Sequence, residues 1–353
     1  MFATHYRCLI CGTEYALDEV EYVCPQHGAV GTLDVIYDYE AMRRRVSRDS
    51  IRRSEWASMW RYLPLLPVRD PALIPPLEVG WTPLYHARRL ATSHGFEELW
   101  LKDDTRNPTG SLKDRASAMA VLRAREQGYE TITTASTGNA AAALAGVAAS
   151  VGLRVVIFVP RSAPEAKLTQ LLVYGAEVHL VDGPYDEAFE RCLEATEREG
   201  WYCRNTGFNP WMTEGKKTAA YEIAEQLGWE APDAVVVSVG DGSIIGGLHK
   251  GFFDLLKLGW TERMPRLVGV QAAGSDACRC PSHHACHTAR QRQCVHRTLF
   301  DGRPTQRRGK RTATAPDWRH SFVRGVRAPQ SPFRSEGVRA ASTQFVQNPP
   351  DDS

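Results

Sequence analysis

Residues 131–160 read TITTASTGNAAAALAGVAASVGLRVVIFVP. Thr131 to Ala135 is strand-like, Ala140 to Ser150 is an alanine-rich helix, and Arg154 to Val159 is a continuous apolar run suited to a strand buried on both faces. Strand, helix and strand within about 30 residues make a βαβ unit, which places its two strands in parallel. The same alternation runs outward. Leu99 to Lys102 is strand-like, and Leu112 to Gln127 has helical apolar spacing. Glu165 to Tyr174, Glu177 to Val181, Asp186 to Glu199, Trp201 to Arg204, Thr213 to Leu227, Ala234 to Val239, Leu248 to Leu258 and Leu267 to Gln271 continue it. Upstream, Glu40 to Tyr62 reads as an Arg-rich helical stretch and Pro64 to Pro76 as a Pro-rich connection. The expected class is α/β, with parallel sheets covered by helices on both faces. Ligands in such sheets bind at the carboxyl ends of the strands, so the loops there are where chemistry is sought.

Composition divides the chain. Its 353 residues are 43% hydrophobic and 24% charged, which excludes a wholly disordered, collagenous or membrane-spanning protein. Neither an apolar leader nor a run of about 20 apolar residues is present, so a cytoplasmic location is expected. The net charge of +2 conceals a break: residues 277–353 carry thirteen Arg and one Lys against five acids, whereas residues 1–276 carry 29 basic and 36 acidic residues. The basic segment has no Ile, no Met and one Leu, so it is expected to be disordered. Its Cys/His run, Cys278 to His287, repeats no recognisable metal module. Its composition favours an accidental C-terminus, such as a shifted reading frame, over a functional arm.

Near the N-terminus, Cys8-Leu-Ile-Cys11-Gly12 and Cys24-Pro-Gln-His27-Gly28 form two knuckles twelve residues apart. Cys8, Cys11, Cys24 and His27 offer the four N/S ligands of a structural zinc ribbon, with no open position for catalysis. A small hairpin with reduced cysteines is the simpler alternative.

Three loops carry chemistry. In Asn107-Pro-Thr-Gly-Ser-Leu-Lys113-Asp-Arg115, Ser111 and Asp114 read as a capping box. Lys113 fits that reading poorly, because a cation in the first helical turn opposes the helix dipole and its neutral amine, a nucleophile, is favoured. In Ala135-Ser-Thr-Gly-Asn139 the hydroxyls and free N–H groups at a helix start suit a carboxylate or phosphate, although Thr137 or Asn139 could simply be N-caps. In Val239-Gly-Asp-Gly-Ser-Ile-Ile-Gly-Gly247 a glycine-rich turn after an apolar strand can cradle phosphate. Its GxGxxxG spacing, with no ribose-binding acid on the next strand, disfavours a nicotinamide dehydrogenase, and no GxxxxGK[ST] supports a P-loop. A nucleophilic lysine, an anion site and a phosphate cradle together suggest pyridoxal 5′-phosphate.

With these loops, Leu33 to Tyr39, Gly80-Trp-Thr-Pro-Leu84, Lys102 to Arg115, Ser136-Thr-Gly-Asn139 and Glu214-Gly-Lys-Lys-Thr218, residues 1 to about 276 resemble the zinc-ribbon threonine synthases. These are fold type II enzymes of the tryptophan synthase β-like superfamily. The resemblance implies a zinc ribbon at 1–40, parts of a large cofactor domain at 41–110 and 230–276, a smaller α/β domain at 111–229, and an anomalous tail at 277–353. It implies Lys113 as the Schiff-base lysine and Asn139 as the residue meeting the cofactor's 3′-oxygen. Gly240, Asp241, Gly242, Ser243 and Ile244 would form the phosphate loop, and Ser136, Thr137 and Gly138 the substrate-carboxylate segment. The implied reaction converts O-phospho-L-homoserine and water to L-threonine and phosphate. Leu112, Ser243 and Ile244 depart from the commoner family residues, and the strands expected after residue 277 are not matched, so the chain as written is expected to be poorly soluble and weakly active. Expected partners are a phosphorylated amino acid and, left open, a second copy of the chain; membrane and nucleic acid are not expected. Competing readings are a cysteate synthase, a threonine dehydratase-like lyase, or an inactive or nucleic-acid-binding zinc-ribbon protein.

Overall fold

The computed structural model describes residues 1–270; the basic segment at 277–353, with its expected disorder, lies outside the described residues. The chain opens with β1 (Ala3–Cys8), β2 (Glu14–Tyr15) and β3 (Leu33–Tyr37), an antiparallel sheet of order β2-β1-β3. Alternation along β3 buries Leu33, Val35 and Tyr37 and keeps Asp34 near the surface. Next come α1 (Tyr39–Arg45) and α2 (Arg48–Arg52), not one helix over Glu40 to Tyr62. Val46 is extended, and Ser47 and Ser50 cap α2 reciprocally, so local capping interrupts the helical spacing; Met59–Leu65 is a 3-10 segment.

An antiparallel pair, β4 (Leu84–His86) and β5 (Trp100–Lys102), brackets α3 (Arg88–His94) and leads into α4 (Lys113–Glu126). The α/β expectation is then met by β6 (Thr131–Ala135), α5 (Asn139–Ala149), β7 (Arg154–Pro160), α6 (Glu165–Val173), β8 (Glu177–Val181), α7 (Tyr185–Glu199) and β9 (Tyr202–Cys203). These four strands form a wholly parallel sheet of order β8-β7-β6-β9. Ile132, Val155, Ile157 and Val159 pack in one core with α4 and α5, while Val156 and Phe158 pack with Ala188, Cys192 and Ala195 of α7, so both faces are covered. The chain moves outward from β6 to β7 and β8, then returns to place β9 on the other side of β6. That reversal makes the carboxyl end of β6 a topological switch point, where ligand crevices form in open α/β sheets.

The last described elements are α8 (Trp211–Lys216), α9 (Thr218–Gln226), β10 (Ala234–Ser238), α10 (Ser243–Leu258) and β11 (Arg266–Val270). Helix α8 is wedged between α4 and α10 through two glycines. A Cβ on Gly215 would lie 2.1 Å from the Arg115 carbonyl oxygen, and one on Gly247 would lie 2.7 Å from Lys216 Cβ. The α10 helix begins at Ser243 rather than near Leu248, so the second half of the glycine-rich stretch is helical. Strands β10 and β11 pair in parallel, with Val235, Val237 and Leu267 against the core that α9 and α10 share with the N-terminal sheet. Their other face stays open, Val236 being 67% and Val270 54% exposed. Among the described residues, helices cover this pair on one face. No helix of the described residues is long and apolar enough to cross a membrane.

Candidate active site

Lys113 is the first residue of α4. The capping box expected there does not form: Leu112 is the N-cap, Ser111 Oγ accepts from Lys113 N at 3.2 Å rather than from Asp114 N, and the Asp114 carboxylate turns away to accept from Thr109 N at 2.7 Å and from the Thr109 hydroxyl. Asp114 thus tightens the preceding loop instead of closing the helix end. Burial pushes the Lys113 amine below the ordinary lysine range; Asp241 and Asp104 oppose that shift and Arg204 adds to it. Desolvation, more than the helix dipole invoked from sequence, favours the neutral amine.

The start of α4 is held by buried charges that sequence reading missed. Arg115 donates from Nε to Asp104 Oδ2 at 2.9 Å and from Nη2 to Asp104 Oδ1 at 2.7 Å, and both its terminal nitrogens reach Glu222. Lys102 Nζ lies 2.6 Å from Glu222 Oε2. The same glutamate accepts from Trp81 N at 2.8 Å and Thr82 N at 3.2 Å, which fixes the Gly80-Trp-Thr turn. Gly80 sits at φ +84°, and a Cβ there would press on Glu222 Oε1 at 2.8 Å, so the turn requires glycine. Arg115 and Glu222 are fully buried.

The second loop follows β6 at the switch point. Gly138 is the N-cap of α5, and no side chain caps it, so neither Thr137 nor Asn139 serves the simple N-cap role. Ser136 Oγ accepts from Gly138 N at 3.2 Å, and Asn139 is exposed at the first helical position. Tyr185, at the start of α7, donates its hydroxyl to Ala135 O at 3.1 Å.

The third loop closes the group. Gly242 adopts φ +83°, and Asp241 Oδ1 accepts from Ser243 N at 2.9 Å and Ser243 Oγ at 2.8 Å. The amides of Ile244 and Ile245, in the first turn of α10, have no intrahelical acceptor. Lys216, from the end of α8, donates its ammonium to Ser243 Oγ. It is fully buried, which pushes its pKa down to about 7, opposed by Asp241 and reinforced by Arg204 and Lys113. Arg204, just after β9, and Asp241, just before α10, thus act on both Lys113 of α4 and Lys216 of α8. A Cβ added at Gly138 or Gly240 would meet nothing within 4 Å, so both loops border open space. Sequence reading singled out the lysine and both loops. Arg204, Tyr185 and the contact of Lys216 with Ser243 escaped it, although glycines inside α8 and α10 are the usual signal of close backbone approach.

Apart from this group, Cys8, Cys11, Cys24 and His27 place their ligand atoms within 4.8 Å of one another. Cys11 Sγ to Cys24 Sγ is 3.9 Å, Cys8 Sγ to His27 Nδ1 is 3.8 Å and Cys24 Sγ to His27 Nδ1 is 3.4 Å. The Tyr15 hydroxyl lies 3.1 Å from Cys24 Sγ.

A family model described as pyridoxal-phosphate dependent enzyme matches residues 76–326. Threonine synthase of Methanocaldococcus jannaschii is 39% identical over 270 residues, covering 76% of this chain and 65% of that protein. Threonine synthase of Methanosarcina acetivorans is 40% identical over 273 residues, covering 77% and 65%. Threonine synthase of Synechocystis sp. is 40% identical over 226 residues, covering 62% and 59%. The chain thus spans just under two thirds of the length of these relatives.

Proposed function

Because the chain belongs to the fold type II family of pyridoxal-phosphate dependent enzymes, we propose that it acts as a threonine synthase, converting O-phospho-L-homoserine and water to L-threonine and phosphate. The observation that carries this reading is the convergence of a half-buried lysine of lowered pKa, Lys113, with a helix start served by a fully buried lysine, Lys216. Relatives of that name at 39% and 40% identity support the choice of reaction. Release of phosphate and threonine from O-phospho-L-homoserine tests it; sulfite-dependent turnover of phosphoserine instead would mark a cysteate synthase.

The residues fit the cofactor chemically. An aldehyde needs a neutral amine, and Lys113 is biased toward one; a phosphate needs donors, and the first turn of α10 supplies the Ile244 and Ile245 amides beside the Lys216 ammonium. Gly240, Asp241, Gly242, Ser243 and Ile244 would form the phosphate cradle, with Lys113 Nζ the point of covalent attachment. Asn139 would meet the 3′-oxygen, and Ser136, Thr137 and Gly138 would hold the substrate carboxylate at the uncapped start of α5. When bound, the cofactor supplies an electron sink for charge developing at the substrate Cα. Lys113 Nζ would move protons at the substrate Cα and Cβ: Cβ gives one up as phosphate departs from Cγ, Cγ takes one up, and water adds at Cβ. Arg115, clamped by Asp104 and Glu222, keeps the first turn of α4 from shifting while this occurs.

Lys216 gives this account a pH signature. With a pKa of about 7 in the protein alone, its amine is mostly neutral at pH 8, and a neighbouring phosphate favours the ammonium. Cofactor binding at pH 8 should therefore take up about one proton more in the wild type than in Lys216→Met. Calorimetry in buffers of different ionisation enthalpy reads this difference. Equal proton uptake by the two proteins would remove Lys216 from the phosphate site.

The N-terminal cluster is read as a structural zinc site. Zn–S bonds of about 2.3 Å in a tetrahedron imply ligand separations of about 3.8 Å, close to those found between Cys8, Cys11, Cys24 and His27. The sheet carrying the cluster is tied to the body by Lys250, which donates to Val35 O at 2.6 Å and pairs with Asp34 and Glu214. Protein purified without chelator should contain about one zinc per chain, and Cys8→Ser combined with Cys24→Ser should abolish it. Absence of zinc from the wild type, or its retention in the double variant, would favour a metal-free hairpin.

A further inference from the structure

A buried set of charges joins the N-terminal sheet to the two helices that carry the phosphate donors. Glu214, in α8, is fully buried, and its carboxylate lies 2.7 Å from Lys217 Nζ and 2.9 Å from Lys250 Nζ. Tyr37, the last residue of β3, donates its hydroxyl to the same carboxylate, and Lys217 Nζ lies 4.0 Å from the centre of its ring. Asp34 of β3 pairs with Lys250, which also donates to Val35 O. Asp254, one turn beyond Lys250, accepts from the Tyr39 and Tyr221 hydroxyls and lies 3.0 Å from Lys217 Nζ. Burial pushes the Glu214 carboxyl up, but Lys217 and Lys250 hold it below its ordinary range, so it stays charged. Well-packed apolar side chains often replace buried ion pairs without loss of stability, so what these charges add is the one arrangement they permit.

That arrangement bears on the phosphate donors. With six residues, α8 is too short to hold a position by itself. Glu214 stands two residues before Lys216, on a different side of the helix, so the rotation of α8 that seats its carboxylate among Tyr37, Lys217 and Lys250 also aims Lys216 at Ser243. Lys250 follows Ser243 by seven residues, two turns along one face of α10. Its hold on Asp34 and Val35 therefore fixes how far the start of α10 projects along its axis. We propose that Tyr37 and Asp34 of β3 are positioning residues for the cofactor's phosphate. Acting through Glu214 and Lys250, they keep the Lys216 ammonium and the Ile244 and Ile245 amides in register with one another. This role rests on the cofactor reading above and not on the choice of threonine synthase as the activity.

The test titrates the full chain with pyridoxal phosphate and with pyridoxal, which has the same aldehyde and no phosphate, and reads binding from the visible absorption band. Tyr37→Phe removes one hydroxyl and Asp34→Asn one charge. Each should weaken pyridoxal phosphate by about tenfold, the scale of coupling through a packed network, and leave pyridoxal within about twofold of the wild type. Tyr129→Phe removes a hydroxyl that donates to Glu21 Oε1 at 2.8 Å, a different tie between the N-terminal segment and the body, and should change neither affinity. If Asp34→Asn does not fold, Tyr37→Phe, which keeps charge and nearly all volume, still decides. Equal losses for the two aldehydes would make β3 a structural support only and overturn the proposal. Unchanged affinity for both, or a loss of the same kind in Tyr129→Phe, would overturn it as well. Wild-type protein that binds pyridoxal phosphate no tighter than pyridoxal would overturn the phosphate site itself. A selective loss in the variants, in a protein that makes no threonine, would overturn the proposed activity and leave this role of β3 standing.

Discussion

Lys113→Ala is expected to lower turnover of O-phospho-L-homoserine by more than about 10⁴-fold, since general acid–base catalysis alone contributes about 10²–10⁴ and the same amine is proposed to hold the cofactor. Lys113→Arg should not rescue it, because a guanidinium does not deprotonate at working pH. The fold should survive both changes. Lys113 is half-buried and its charge is disfavoured by burial, so the alanine variant should unfold at a midpoint equal to or above that of the wild type. Attachment of the cofactor requires the neutral amine, so the rate at which the wild type takes up pyridoxal phosphate should fall as pH drops through the lowered Lys113 pKa. A Lys113→Ala protein retaining a tenth of wild-type turnover would remove this residue from the chemistry.

Glu222→Ala should be the most destabilising single change among the residues around the site. It removes the carboxylate of Lys102 and one of the two of Arg115 at once, and frees the Trp81 and Thr82 amides. Removing one member of a buried ion pair costs about 3–5 kcal/mol, a large part of the roughly 5–15 kcal/mol by which a domain is stable. Arg115 holds the Glu222 carboxyl below its ordinary range, opposing the effect of burial. A carboxylate with a depressed folded-state pKa contributes its full stability above the unfolded value of about 4.3 and loses it as pH falls through the folded value. Wild-type stability should therefore decline with acid over that window, and the decline should be shallower in Glu222→Ala. Denaturant unfolding between pH 3 and 7 measures both effects, about 3 kcal/mol being the least that fits a buried pair. A loss near 1 kcal/mol with an unchanged pH slope would mean that the network does not carry the start of α4.

Much of the α/β frame was legible because its signals are local. β6 and β7 announce themselves by β-branched runs, and α5 by its alanines. The three loops lie where strand pattern changes to helix pattern, so they could be placed without knowing the sheet order. What escaped depends on distant segments meeting. Lys216 looks like one more charge on a helix until Gly215 and Gly247 bring α8 between α4 and α10. Arg204 follows a two-residue strand, and nothing local says that its side chain crosses to Ser117. Glu222 sits 107 positions from Arg115, and each alone reads as a solvated helix residue. The capping box failed for a related reason: Thr109, five residues before Asp114, competes for its carboxylate.

The account stands most directly on which lysine bonds the cofactor. Lys113 and Lys216 are both withdrawn from water and both have lowered pKa values, and Lys113 contributes to the shift at Lys216. The full chain should be incubated with pyridoxal phosphate, reduced with borohydride to make any lysine–cofactor bond permanent, and mapped by peptide mass. The expected result is one labelled peptide, modified at Lys113, with Lys216 unmodified. A label on Lys216 or on any other lysine, or none in protein whose visible spectrum shows bound cofactor, would contradict the account.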